Sequence, residues 1–146
     1  MSFETIHEDI CGMLEKDAFL LKNKVGVFQQ DKGDIAKTIS IEIGKLGICA
    51  VVSTPSAKAE STDSRNVSAM ADVLVRVIER PTLNRIRANA CSAGVAARHI
   101  ATALNLENTK GGDCIVFKEI SSAALEGGDV VYDVLFIART TLRKTT

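Results

Sequence analysis

The best candidate for acid–base chemistry is the cluster Glu79, Arg80 and Arg85, carried by the stretch VRVIERPTLNR at residues 75–85. A carboxylate works as a general acid or base when a pocket shifts its pKa, whereas a glutamate beside arginines is stabilised as the anion. The cluster therefore reads first as a surface ion-pair group. Interface anchoring is the second reading, because arginine is enriched at protein contacts. On either reading Glu79→Ala is expected to leave the fold intact. Nucleophilic catalysis by Cys or Ser needs a histidine within hydrogen-bond reach. Only His7 and His99 are available, both on expected helices, so both read as surface or boundary residues. Cys11, Cys49, Cys91 and Cys114 are widely separated and form no CxxC or Cys/His ligand spacing. They read as buried thiols of a reducing compartment, not as a zinc site. Gly111–Gly112 and Gly127–Gly128 precede strands rather than helices, so they are turn glycines and not a phosphate cradle. No catalytic, cofactor-binding or metal-ligating residue is assigned.

Composition narrows the class. The chain has 146 residues, 46% of them hydrophobic and 25% charged, which suits one globular domain spanning 1–146. Eighteen basic and eighteen acidic residues cancel to a formal charge of +0. Sequence-specific nucleic-acid binding normally needs a basic excess or stripe, so it is not expected. A neutral surface also lets identical copies approach closely. The first residues, MSFETIHEDICGML, lack the basic and apolar regions of a signal peptide, and no apolar run could span a bilayer. A soluble, cytoplasmically made protein with no membrane partner is the expectation.

Periodicity places the elements. Ser2 to about Lys16 predicts a helix with Phe3, Ile6, Ile10, Met13 and Leu14 on one stripe, capped by Ser2 or by a Thr5/Glu8 box. Lys24–Gln30 predicts a strand. Ile35, Ile39, Ile43 and Leu46 predict a helix capped by Asp34 and ended by Gly47, although Ile39, Ile41 and Ile43 also alternate as a strand would. The continuous run Ile48–Thr54 predicts a strand buried on both faces. The polar segment Pro55–Asn66 reads as a long exposed loop or the splayed tip of a hairpin. Val67–Ile78 predicts a strand with Val73, Val75 and Val77 facing one way and Leu74, Arg76 and Ile78 the other, stopped by Pro81. A helix from about Asn89 to Leu104 follows, with Val95, Ile100 and Leu104 toward the core. Cys114–Leu125 and Val130–Leu142 flank EGGD as a closing hairpin. The order α-β-α-β-β-α-β-β defines an α+β domain with a mainly antiparallel sheet of about five strands and helices packed on it.

That order, with FETIHEDICGML, ICAVVST, ADVLVRVIERP, GVAARHIATAL and IVFKEISSAALEGGDVVYDVLFIARTTL, resembles the plan of phage tail terminator proteins, also called minor tail or tail-completion proteins. The likeness runs over nearly the whole chain and is one of architecture rather than of signature residues. It implies a structural protein of a phage or prophage virion tail, made in the host cytoplasm and free of cofactors. Such proteins form a ring, typically a hexamer, on the tail tube protein and present a surface to a head-completion or connector protein. By that analogy Lys58, Glu60, Asp63 and Arg65 in the polar segment, with Glu79, Arg80 and Arg85, are candidate interface residues. Charge reversal at Lys58 and Arg65 is expected to impair assembly more than stability. The alternative is a small homo-oligomeric α+β domain that binds a ligand or regulates.

Overall fold

The computed structural model describes residues 3–31, 33, 35–61, 67–84, 91–124 and 128–143. A 3-10 turn at Phe3–Thr5 leads into α1 (Ile6–Glu15) and α2 (Ala18–Lys22), followed by β1 (Gly26–Gln29), α3 (Ile35–Leu46), β2 (Ile48–Val52) and β3 (Ser56–Ser61). The chain continues through β4 (Val67–Glu79), α4 (Pro81–Asn84), α5 (Ala93–Leu104), β5 (Ile115–Ala124) and β6 (Val130–Leu142). One sheet of six strands runs β1-β2-β4-β6-β5, with β3 also paired to β4. Only β1 and β2 are parallel, joined through α3. The α+β class and mainly antiparallel sheet are as the sequence indicates, and the strand beyond the expected five is Ser56–Ser61 within the polar segment. The hairpin-tip reading of that segment therefore holds for its first half, while residues 62–66 lie outside the described residues. The helices α2 and α4 were not anticipated, being four or five residues long and too short to show a period.

The sheet has two faces. Ala50, Val52, Val73, Val75, Val77, Val134 and Phe136 point to one side and meet α1, α2 and α5 in the main core. Cys49, Val51, Ile78 and Val131 point to the other and meet Ile39 and Ile43 of α3 in a smaller cluster. All five residues of β2 are consequently buried, as its unbroken apolar run implies. Ile41 is 48% exposed, which settles the Ile39/Ile41/Ile43 ambiguity as a helix with Ile41 on its outer side. Gly47 ends that helix at φ +77°, in the left-handed region where a side chain is strained. Of the two expected caps of α1, Ser2 lies outside the described residues, and Thr5, although at the N-cap position, makes no side-chain cap hydrogen bond. Asp34 is likewise outside the described residues.

Strands β2 and β3 run consecutively along the same side of β4. Ile48–Val52 pair with Glu79–Val75, and Ser56–Ser61 pair with Asp72–Ser68. At the break, the Ser53 N–H donates to the Leu74 carbonyl at 2.8 Å and the Ser53 hydroxyl accepts from the Leu74 N–H at 2.9 Å. A side chain thus replaces the backbone acceptor that the ladder loses.

Helix α5 begins at Ala93, capped by the Ser92 hydroxyl accepting from the Val95 N–H at 3.3 Å. It starts later than the expected Asn89, which lies outside the described residues. Its buried face is Ala93, Ala96, Ala97, Ile100, Ala101 and Leu104, the i, i+3, i+4, i+7 series of one helical face. Val95 does not join it and is 37% exposed, which corrects the expectation that it faces the core. The small alanines let the helix axis lie close to the sheet, so hydrophobic bulk is not the guide to its inner side. Ile100→Ala is expected to cost about 2–5 kcal/mol, whereas Val95→Ala should change stability by no more than about 0.5 kcal/mol. Chemical denaturation of the two variants checks this. Equal losses would refute the assigned face.

Candidate functional site

Glu79 is the last residue of β4 and Arg80 the next. Successive strand residues point to opposite faces, so their side chains part company. Glu79 turns inward and is 7% exposed. One carboxylate oxygen, Oε1, accepts from the Ala93 N–H at 2.9 Å, and Oε2 accepts from Nδ2 of Asn84 at 2.9 Å. Asn84 is buried as well, and Nδ2 also donates to the Cys91 carbonyl at 2.7 Å. The first N–H groups of a helix have no partner within it, and the positive end of its dipole favours an anion. Glu79 therefore fastens the end of β4 to the start of α5 and to α4. It is not the surface ion-pair residue that its arginine neighbours suggest.

The same junction is closed by Gly47. Its carbonyl accepts from the Arg80 N–H at 2.8 Å. A Cβ added there would stand 2.8 Å from the Asn84 nitrogen and 2.9 Å from its Cα, closer than backbone can yield. Glu79→Ala leaves two buried donors unsatisfied, contrary to the tolerance expected from sequence. Glu79→Gln places an amide NH2 against one of them. Each is expected to destabilise by about 1–3 kcal/mol, read as a lowered thermal midpoint. Unchanged midpoints would show that the carboxylate anchors nothing.

Arg80 points to the opposite face, where Nε meets Oδ1 of Asp129 at 3.2 Å. On that face Arg76 forms a two-pronged pair with Asp133, Nε–Oδ1 at 2.8 Å and Nη2–Oδ2 at 3.0 Å. The hydrogen bond to Asp133 raises the Arg76 pKa further, so this cation is permanent. Neither aspartate was singled out in the sequence, yet a signal was present. Arg76 and Arg80 are four apart, Asp129 and Asp133 are four apart, and the antiparallel register that matches one pair matches the other. Arg85 lies outside the described residues, as do Asp63 and Arg65. Lys58 and Glu60 stand exposed on β3, where Glu60 Oε1 is 3.5 Å from Nε of Arg139. The seven candidate residues thus do not form one cluster: the described ones divide between the β4–α5 junction, the opposite sheet face and the β3 edge.

Both histidines hold the first two helices in place. His7 is buried on α1, not at the surface, with Nε2 2.8 Å from Oδ2 of Asp31. His99 on α5 is half-buried, with Nε2 2.8 Å from Oδ1 of Asp17 and its ring stacked on Phe19. Asp17 also caps α2 by accepting from the Leu20 N–H at 3.1 Å. The hydrogen bond from His7, then one from Gln29, hold the Asp31 carboxyl below its ordinary value of 3.8. A carboxyl whose pKa is lowered by folding stabilises the fold above its unfolded pKa, and this contribution fades as pH falls through the folded value. The thermal deficit of Asp31→Asn relative to the parent should therefore narrow between pH 5 and pH 3. A deficit that widens over this range would contradict the pairing.

Three of the four thiols, Cys11, Cys49 and Cys91, are buried as expected, but Cys114 is exposed where the chain enters β5. Burial, with Glu42 and Asp129 nearby, pushes the Cys49 thiol up to about 12, so it is inert as a nucleophile. A groove of about 210 Å³ between α1 and the approach to β5 is lined by Glu8, Asp9, Met13, Lys16 and Thr109 among others. Among the described residues no three His, Cys, Asp or Glu side chains converge as metal ligands, and no helix is long and apolar enough to cross a membrane.

No protein-family profile matches the sequence, and no curated protein matches it. The fold is similar to that of a chain from the virion of a native gene transfer agent (GTA) particle. That likeness covers 94% of this chain and 95% of the other, with a TM-score of 0.66 and 17% sequence identity. At this identity the likeness defines a shared fold.

Proposed function

We propose that this chain is a structural protein of a phage or prophage tail, assembling as a ring that terminates the tail tube and offers the head a joining surface. The observation that carries this reading is the end-to-end likeness in fold to a chain of a virion particle, over 94% of one and 95% of the other. The resemblance of the element order to phage tail terminators points the same way. On this reading the partners are further copies of the chain, six in all as the resemblance implies, a tail tube protein on one side and a head-completion or connector protein on the other. Assembly takes place in the host cytoplasm and ends in the virion tail. A formal charge of +0 leaves little self-repulsion to oppose the packing of copies. Lys58 and Glu60 on β3 and Arg80 beyond β4 are the described candidates for contacts, while Glu79 acts through the helix it anchors.

Sedimentation of the purified protein, alone and with tail tube protein, tests the reading. A species of about six times the 15.6 kDa chain mass is expected. A protein that stays monomeric even with tail tube protein present would overturn it.

A further inference from the structure

The sheet has unpaired outer edges on both sides. Strands β3, β4, β6 and β5 are each antiparallel to the next, so β3 and β5 run in opposite directions. On the β5 side the first residues are already occupied. Ile115 exchanges hydrogen bonds with Leu106 and Glu107 at 2.7 and 2.8 Å, and the Phe117 N–H donates to Oδ1 of Asn105 at 3.0 Å. A bulge at Phe117/Glu119 follows. Beyond it, Glu119–Ala124 have no backbone partner on their outer side among the described residues, and neither have Ser56–Ala59 of β3, which precede that strand's own bulge at Ala59/Ser61. Exposed edges of this kind recruit another strand unless a bulge, a proline or inward charge blocks them. The free part of β5 carries instead Ile120, an exposed apolar residue at 37%.

We infer that the outer edge of β3 in one copy pairs antiparallel with Glu119–Ala124 of β5 in the next, with Lys58 facing Glu119. This rests on the ring reading and names the contact that would build the ring. Joining two different edges is a head-to-tail contact, which gives a ring where the rotation closes and covers both of these edges. Pairing β3 with itself would leave β5 unpaired. The heights of the two edges fit closure. A closed sheet tilts its strands by about 35–45°, so four strands of about 4.8 Å spacing require each copy to slip about four to six residues along the strands. Glu119 is level with Leu135 of β6, and Lys58 is level, through Met70, with Arg139. A slip of four residues, from 135 to 139, sets Glu119 opposite Lys58 on the same face of the sheet. It also brings Ile120 opposite Ala57 and Ser121 opposite Ser56. Opposite charges and small residues are what a directly facing cross-strand pair favours.

The test uses the full chain with Cys114→Ser, so that no exposed native thiol interferes. Lys58→Cys with Glu119→Cys, oxidised in the assembled state, should give a ladder of disulfide-linked multimers up to the ring, and each single cysteine variant only monomer. Lys58→Glu should lower the ring fraction about fivefold or more at equal concentration, and Glu119→Lys added to it should restore the ring. A parent that forms rings while the double-cysteine variant does not cross-link and Lys58→Glu has no effect overturns the edge pairing and leaves the ring reading standing. A parent that stays monomeric up to millimolar concentration and with tail tube protein present overturns both.

Discussion

Every element of this fold is positioned by one antiparallel ladder, the pairing of Val67–Glu79 in β4 with Leu142–Val130 in β6. It is the longest pairing in the sheet and lies at its centre, with β2 and β3 on one side and β5 on the other. A slip of one residue would turn the side chains of the slipping strand to the wrong face. A slip of β4 would drive Arg76 and Arg80 towards the main core and expel Val73, Val75 and Val77 from it, while Val134 and Phe136 of β6 kept their places. The register is therefore fixed twice over, by apolar burial on one face and by two matched ion pairs on the other. The ion pairs are partly solvated and add little stability of their own. Their larger effect is to penalise the wrong alignments.

The end of the ladder is also where the helical layer is attached. The Glu79 carboxylate is buried, and burying a charge is costly unless hydrogen bonds compensate. Compensation comes from the Ala93 N–H at the start of α5 and from the Asn84 amide. The alanine-rich face of α5 then lies against β4, β5 and β6 with little side-chain bulk between. In the same layer, α1 and α2 are tied by His7 to the segment after β1 and by His99 to α5. A rigid frame of this kind leaves the sheet edges free to make contacts without rearrangement of the core.

Much of this was legible in the sequence because it depends on period. The two-residue alternation in Val73–Ile78, the uninterrupted run of β2 and the Gly47 stop each map onto a single physical requirement. What was hidden depends on partners remote in sequence. Glu79 beside Arg80 looks like a local ion pair, and only the strand's alternation combined with the position of α5 shows that one points in and the other out. His7 looked peripheral because Asp31, its partner, is 24 residues away. Val95 misled because it is the bulkiest residue near the start of α5, whereas the helix packs through its alanines. The short helices α2 and α4 are held by tertiary contacts and carry no pattern of their own.

The break at Ser53 divides one long line of strand into two parts with different obligations. Below it, β2 is buried on both faces and its residues answer to the core. Above it, Ser56, Ala57, Lys58, Ala59 and Glu60 are all exposed. The serine keeps the ladder continuous through the division, so the upper part inherits its placement from the lower without sharing its packing. Substitutions in β3 can accordingly change the exposed edge of the sheet while the determinants of folding stay untouched, and the two parts are free to evolve at different rates.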